Sequence, residues 1–294
     1  MTLFILAFDQ RVSFREKLFA VKGTPTPAQK RRIEAAKETV FDAVMQAIRS
    51  GKVVRREAAV LCDEEYGAAV LRRARKEKVA FALPVEKSGC EEFQFEYGKN
   101  FASHVRKFKP DFVKVLVRYN PANKALNKRQ LVRLRQLQQW LDANGGKLLF
   151  EMLVPPTKSQ LKAYGKNFDC RARPALMVKA LREITTAGVR PAVWKLEGVE
   201  SKQTAGEVFG AALAFAPGSR VIVLGRGESL DHVKKWVATA AAVPGVEGFA
   251  VGRTIFRAPL AKMIAGKATR AQTVNEIAGT YAEIVACFRK ARKN

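Results

Sequence analysis

Eight short apolar runs recur along this 294-residue chain, with helical or loop-like stretches between them. They are Leu3–Phe8, Ala58–Cys62, Val79–Val85, Phe112–Tyr119, Lys147–Val154, Ala192–Glu197, Arg220–Leu224 and Gly248–Gly252. Several are continuously hydrophobic, as strands buried on both faces of a parallel sheet are. Between them, Pro27 to Ile48 spaces Ile33, Val40, Phe41, Val44 and Ile48 as one helix face, with Thr26 and Pro27 suited to N-cap and N1. Leu126–Leu141 runs to the Asn144-Gly145-Gly146 stop, Pro174–Thr186 to Gly188, and Leu230–Ala242 to Pro244-Gly245. Alternation repeated eight times predicts an α/β fold of the (β/α)₈ (TIM) barrel type. An open doubly wound sheet shares the pattern, but no GxGxxG follows the first run. No linker, repeat or charge run marks a boundary, so one barrel domain over residues 1–294 is expected.

The chain carries 53 Lys and Arg against 27 Asp and Glu, a formal charge of +26 that favours anionic partners. The basic residues are spread along its length, with short clusters at Lys30-Arg31-Arg32, Arg72-Arg73 and Arg289-Lys290 and no low-complexity arm. Phosphorylated metabolites are therefore expected ahead of nucleic acid. No apolar run is long enough to span a bilayer, and the apolar start meets Asp9 and Arg11 without a basic leader, which points to a soluble, cytoplasmic protein with no membrane partner. Cys62, Cys90, Cys170 and Cys287 show no CxxC spacing; small buried thiols in a reducing compartment are expected.

In such a barrel, chemistry sits at the C-terminal ends of the strands. Charged residues fall within these runs, Lys114 and Arg118 in the fourth, Glu151 in the fifth and Lys195 and Glu197 in the sixth. Lys114, Glu151 and Lys195 stand out because their neighbours are strongly apolar. A barrel interior is a packed core where an unpaired charge is costly, so three on successive strands have to compensate one another. A lysine amine condenses with a ketone only when neutral, and at the reference pKa about one in 2,500 is neutral at pH 7. Burial and a second cation push that value down; a fall to about 7.5 frees roughly a quarter of the amine. Glu151 could move protons for carbinolamine formation and dehydration. After the seventh and eighth runs come Gly225-Arg226-Gly227 and Gly252-Arg253-Thr254, where glycine lets an oxyanion approach the backbone and arginine offers a fork. His104 and His232 have no partner at ligand spacing, which disfavours a zinc-enolate route, and no serine sits near a histidine in a triad pattern. A magnesium-enolate route through Glu151 and a second carboxylate stays open.

These residues resemble the strand-end motifs of class I aldolases of the tagatose 1,6-bisphosphate and sulfolactaldehyde-forming groups. The shared segments are Leu6-Ala7-Phe8-Asp9-Gln10-Arg11, Glu86-Lys87-Ser88-Gly89, Val113-Lys114-Val115-Leu116, Leu149-Phe150-Glu151 and Trp194-Lys195-Leu196-Glu197-Gly198. The likeness is closer to the aldolase-like domain fused behind 5-dehydro-2-deoxygluconokinase in inositol catabolism. It rests on Pro84 to Gly89, Lys114 to Pro121, Trp194 to Gly198, Leu224 to Gly227 and Gly248 to Thr254, and covers nearly the whole chain. The resemblance implies a Schiff base on Lys195, no cofactor and no bound metal. It implies cleavage of 2-deoxy-5-keto-gluconate 6-phosphate to dihydroxyacetone phosphate and malonate semialdehyde. In that reading Glu151 shuttles protons and Lys114 lowers the amine's pKa. Asp9, Gln10, Glu86, Lys87 and Arg118 contact substrate, and Gly225, Arg226, Gly252 and Arg253 hold phosphate. Two departures are visible: Gln10 stands where the inositol-linked domain has histidine, and the chain begins at its first strand with no kinase ahead of it. An aldolase for a ketose bisphosphate or a sulfo-sugar phosphate is the near alternative. A non-catalytic barrel binding anions or nucleic acid is the distant one. Barrels of this kind are often homo-oligomers.

Overall fold

A computed structural model describes residues 2–293; Met1 and Asn294, the ends of the expected span, lie outside the described residues. Eight parallel strands close into a barrel in sequence order. They are β1 (Leu3–Ala7), β2 (Ala58–Leu61), β3 (Ala80–Pro84), β4 (Phe112–Arg118), β5 (Leu148–Leu153), β6 (Val193–Glu197), β7 (Arg220–Leu224) and β8 (Val246–Val251). Closure comes from β1 pairing with β8, Leu3 opposite Gly248 through Leu6 opposite Val251. The eight expected strands are these eight, shifted by a residue or two at their ends.

The helices are α1 (Val12–Phe19), α2 (Pro27–Arg49), α3 (Glu64–Lys76), α4 (Phe101–Phe108), α5 (Lys124–Ala143), α6 (Lys158–Tyr164), α7 (Phe168–Arg171), α8 (Arg173–Thr186), α9 (Lys202–Phe215), α10 (Leu230–Ala241), α11 (Arg253–Ile264) and α12 (Arg270–Lys293). None of them is long and apolar enough to cross a membrane. The start of α2 shows how locally the sequence sets them. Thr26 Oγ1 accepts from the Gln29 amide at 3.3 Å while the Thr26 amide donates back to Gln29 Oε1 at 2.8 Å, and Pro27 supplies a preset first turn.

Side-chain alternation divides the apolar residues into two cores. One face of each strand packs outward against the helices, from Phe4, Leu6 and Val60 to Trp194 and Phe249. The other face fills the barrel with Leu3, Ile5, Ala7, Ala59, Leu61, Ala82, Phe112, Leu149, Val193, Ile222 and Ala250. This inner set stops short of the strand C-termini. Two residues further along the same face of β4, β5 and β6 stand Lys114, Glu151 and Lys195. The apolar plug is thus the floor on which a charged layer rests.

Gly248 is the tight spot in the closure. Its φ of +152° coincides with a register slip between β7 and β8, and a Cβ there would overlap the Leu3 carbonyl oxygen of the neighbouring strand. Gly248→Ala should cost about 3 kcal/mol and lower the thermal midpoint by roughly 5–10 °C. Thermal unfolding monitored by circular dichroism checks this; an unchanged midpoint would show that the seam has slack.

The expectation of small buried thiols needs correction. Cys62 is buried, but Cys90 and Cys287 are half-buried and Cys170 is exposed, because the last three sit on loops and helix surfaces outside the packed layers.

Candidate active site

At the C-terminal end of the barrel a cleft of about 550 Å³ opens, and every residue proposed above for catalysis, substrate or phosphate lines it. Its floor is a cluster of five charges. Lys114 Nζ lies 2.8 Å from Asp9 Oδ2, 2.6 Å from Glu86 Oε1 and 3.0 Å from Glu151 Oε2. Lys195 Nζ lies 2.9 Å from the same Glu151 oxygen. Glu151 and Lys195 are directly paired across β5 and β6, so both must point the same way. Lys114 is 1% exposed and Lys195 4%, which places both amines inside the barrel rather than on its helix-covered outside.

The sequence suggested three mutually compensating charges; the structure adds Asp9, two residues beyond β1, and Glu86, two beyond β3. This changes the electrostatics around Lys114. Burial works against its charge, but Asp9, Glu151 and Glu86 together hold its amine well above the ordinary value. Lys114 therefore stays a cation and reaches Lys195's surroundings already surrounded by carboxylates. Burial also opposes ionisation of Asp9, yet Lys114 and Lys195 outweigh it and hold that carboxyl down at about 2. The same contest leaves Glu151 below its usual value. At Glu86 burial wins: its carboxyl is pushed up despite Lys114 and Arg11, and its Oε2 is buried with no hydrogen-bond partner.

Around this floor the loops supply the walls. Residues 86–96 fold back as a hairpin, with the Lys87 amide bonded to the Gln94 carbonyl and the Glu96 amide to that of Val85. Arg11 ties the hairpin down, 2.6 Å from Glu96 and donating to the Glu86 carbonyl at 2.5 Å. Lys87 is exposed at the rim. Arg118, at the end of β4, donates to the Cys90 carbonyl at 2.9 Å. Gln10 donates to Asp9 at 3.3 Å and keeps its own buried carbonyl oxygen unpartnered.

On the opposite wall, Arg226 takes a left-handed φ of +51° and Gly227 one of +82°. That turn lets Arg253 lie over Gly227 and donate to the Arg226 carbonyl at 2.6 Å; a Cβ at 227 would sit 3.0 Å from the Arg253 guanidinium. Gly252 is the N-cap of α11 at the cleft edge and offers it no side-chain cap.

Three contributors were missed from the sequence. Arg173, 5% exposed at the start of α8, lines the cleft and lies 3.6 Å from Glu197 Oε1. Its signal was an arginine directly before the helix-initiating Pro174, since helices in this fold begin at the active face. Asp169 on α7 bonds both Arg173 and Arg226. Lys37, fully buried on α2, donates to the carbonyls of Phe8 at 2.9 Å and Gln10 at 3.2 Å and pairs with Asp63, pinning the end of β1 that carries Asp9. The two histidines lie away from the cleft: His104 faces the Pro84 carbonyl at 3.3 Å and His232 faces Glu200 at 2.8 Å.

The closed parallel barrel shares its fold with solved fructose-bisphosphate aldolases. Similar solved structures include Cgl0159 from Corynebacterium glutamicum (19% identity, TM-score 0.62, covering 97% of this chain and 85% of that one). They also include the fructose-bisphosphate aldolases of Slackia heliotrinireducens (14%, 0.61, 98% and 86%) and Plasmodium falciparum, the latter crystallised with TRAP and a small-molecule inhibitor (14%, 0.66, 97% and 90%). The chain itself belongs to the family described as "Uncharacterized protein conserved in bacteria (DUF2090)", which matches residues 1–292. No curated protein sequence matches it.

Proposed function

We propose that this protein is a class I aldolase, a carbon–carbon lyase that forms a Schiff base through Lys195. The observation that carries the reading is the Lys195 amine, buried on the barrel floor 2.9 Å from Glu151 and facing a cleft walled by arginine-bearing loops. The fold shared with fructose-bisphosphate aldolases supports it. Lys195 Nζ gives up a proton and attacks the substrate ketone. Glu151 Oε2, in hydrogen-bond reach, carries protons to and from the carbinolamine oxygen until water leaves. The β-hydroxyl of the iminium then gives its proton to Glu151 and becomes the carbonyl of the leaving aldehyde as the Cα–Cβ bond breaks. The iminium takes up that electron pair as an enamine, and protonation of the enamine followed by hydrolysis frees the amine. Lys114 is a fixed cation for this work: it holds Asp9, Glu86 and Glu151 in place and presents positive charge to a substrate oxygen.

The substrate class follows from charge at both ends of the cleft. Arg226, Arg253 and the uncapped start of α11 suit a phosphate, while Arg118 and Lys87 on the other wall suit a carboxylate or a second anionic group. A phosphorylated keto sugar acid fits, 2-deoxy-5-keto-gluconate 6-phosphate first; a ketose bisphosphate or sulfo-sugar phosphate is the second reading. Gln10, which follows the sugar-bisphosphate pattern and has a carbonyl oxygen without a hydrogen-bond partner, is what favours it. A panel of these compounds, monitored for triose phosphate by coupled reduction, tests the assignment. The keto sugar acid phosphate should turn over fastest, and exhaustive chelation should leave the rate unchanged. Loss of turnover on chelation would instead favour a metal-enolate route.

A further inference from the structure

Arg173 and Arg226 approach each other from different elements and share two carboxylates. Buried Glu197, itself a cleft-lining residue, has its Oε1 3.6 Å from Arg173 Nε and 3.5 Å from Arg226 Nε, while its Oε2 accepts from the Val154 amide at 2.8 Å. On the more exposed side, Asp169 gives one oxygen to each guanidinium: Oδ1 to Arg173 Nη2, and Oδ2 to Arg226 Nη1 at 2.8 Å. Arg173 Nε also donates to the Val154 carbonyl at 3.5 Å, and each guanidinium directs an Nη at the Asp169 carboxylate.

The two carboxylates differ in how firmly they are held. Glu197 is 3% exposed, on β6. The Asp169 side chain is 50% exposed and belongs to the stretch of α6, α7 and the turn between them, where Phe168 is the buried apolar anchor. That stretch also leaves Leu161 and Tyr164 exposed, at 55% and 41%. Little apolar burial and an exposed ionic latch describe a segment of low local stability.

We propose that Arg173 and Arg226 form a two-guanidinium seat for the phosphoryl group of the substrate, and that Asp169 is its displaceable internal occupant. A phosphoryl dianion offers three oxygens and more charge than one carboxylate, so it takes the two Nη donors and Asp169 turns out to solvent. Residues 158–171 then lose the ionic latch that ties Asp169 to the two arginines. In the unlatched state the phosphoryl group holds the two arginines; in the latched state Asp169 adds its charge to that of Glu197 between them. This assigns Arg173 to the anion subsite beside Arg226. It rests on the aldolase reading only for the identity of the phosphate's carrier.

Inorganic phosphate is the probe, with the full-length protein. Asp169→Asn and Asp169→Ala should each bind it about tenfold more tightly than the wild type by titration calorimetry, the worth of one charge-assisted contact. In the wild type, saturating phosphate should speed amide hydrogen exchange across residues 158–171, the reverse of ordinary ligand protection. Unchanged affinity in both variants, or slowed or unaltered exchange in that stretch, overturns the proposal. Borohydride trapping at Lys195 keeps the two readings apart. Exchange loosened by phosphate without any lysine adduct sinks the aldolase and keeps the seat, and an adduct with no loosening does the opposite.

Discussion

Wild-type protein incubated with dihydroxyacetone phosphate and borohydride should gain a stable adduct on the peptide containing Lys195, and Lys195→Ala should neither take the label nor turn over substrate. The expected loss of activity is at least about 10⁴-fold, because the covalent route vanishes with its nucleophile. Lys195→Arg makes the test sharper. It keeps a cation opposite Glu151, so folding and the charge balance of the floor survive, but a guanidinium cannot form the imine. Its activity should fall as far as that of the alanine variant while its thermal midpoint stays close to wild type. Peptide mass spectrometry after reduction reads the site directly. A label on Lys114 would exchange the roles of the two lysines, and that outcome has a structural cost to explain. Lys114 is held as a cation by three carboxylates, whereas Lys195 touches one. A single carboxylate partner is the easier one for an attacking amine to give up.

The barrel was legible because its strands are short, continuously apolar and separated by stretches with plain stop signals. The lysines and Glu151 were legible for a related reason: a charge among Val, Leu and Phe on a strand covered from outside by helices has one place to point. Asp9 and Glu86 were visible as strand-end polar residues, but their meeting at Lys114 depends on the register of β3 against β4 and on the tilt that brings the end of β1 across the barrel, which no local pattern encodes. Asp169 left no mark at all. It lies in a polar, lysine-rich connection whose two short helices bury almost nothing, and only the three-dimensional path of that connection brings its carboxylate to Arg226. Lys37 was hidden by the opposite circumstance. It looks like one more charge on an amphipathic helix, yet it falls on the buried face because β1 ends in carbonyls that need a donor.

Lys114→Met should be the most destabilising single change at the floor, by about 3–5 kcal/mol near neutral pH, or roughly 10 °C in thermal midpoint. The methionine fits the volume, so the cost is electrostatic: Asp9, Glu86 and Glu151 lose the cation they share and remain buried. The pH dependence separates this cause from lost packing. In the wild type Asp9 is lowered from 3.8 to about 2, so its contribution is complete above about 4 and disappears as pH falls through 2. Lys114 is raised above 10.5, so its contribution holds below that value and is lost only as pH climbs through the higher folded-state value. The cluster is therefore at full strength across the whole neutral range. Without Lys114 burial dominates, the carboxyl pKa values rise, and acid relieves the variant by neutralising groups that the wild type needs charged. The stability gap between the two proteins, measured by urea unfolding, should be widest near pH 7 and shrink steadily below pH 4. A gap of constant size from pH 7 to pH 3 would mean that Lys114 acts through its packing, and the floor would no longer be a charge-balanced cluster organised around one permanent cation.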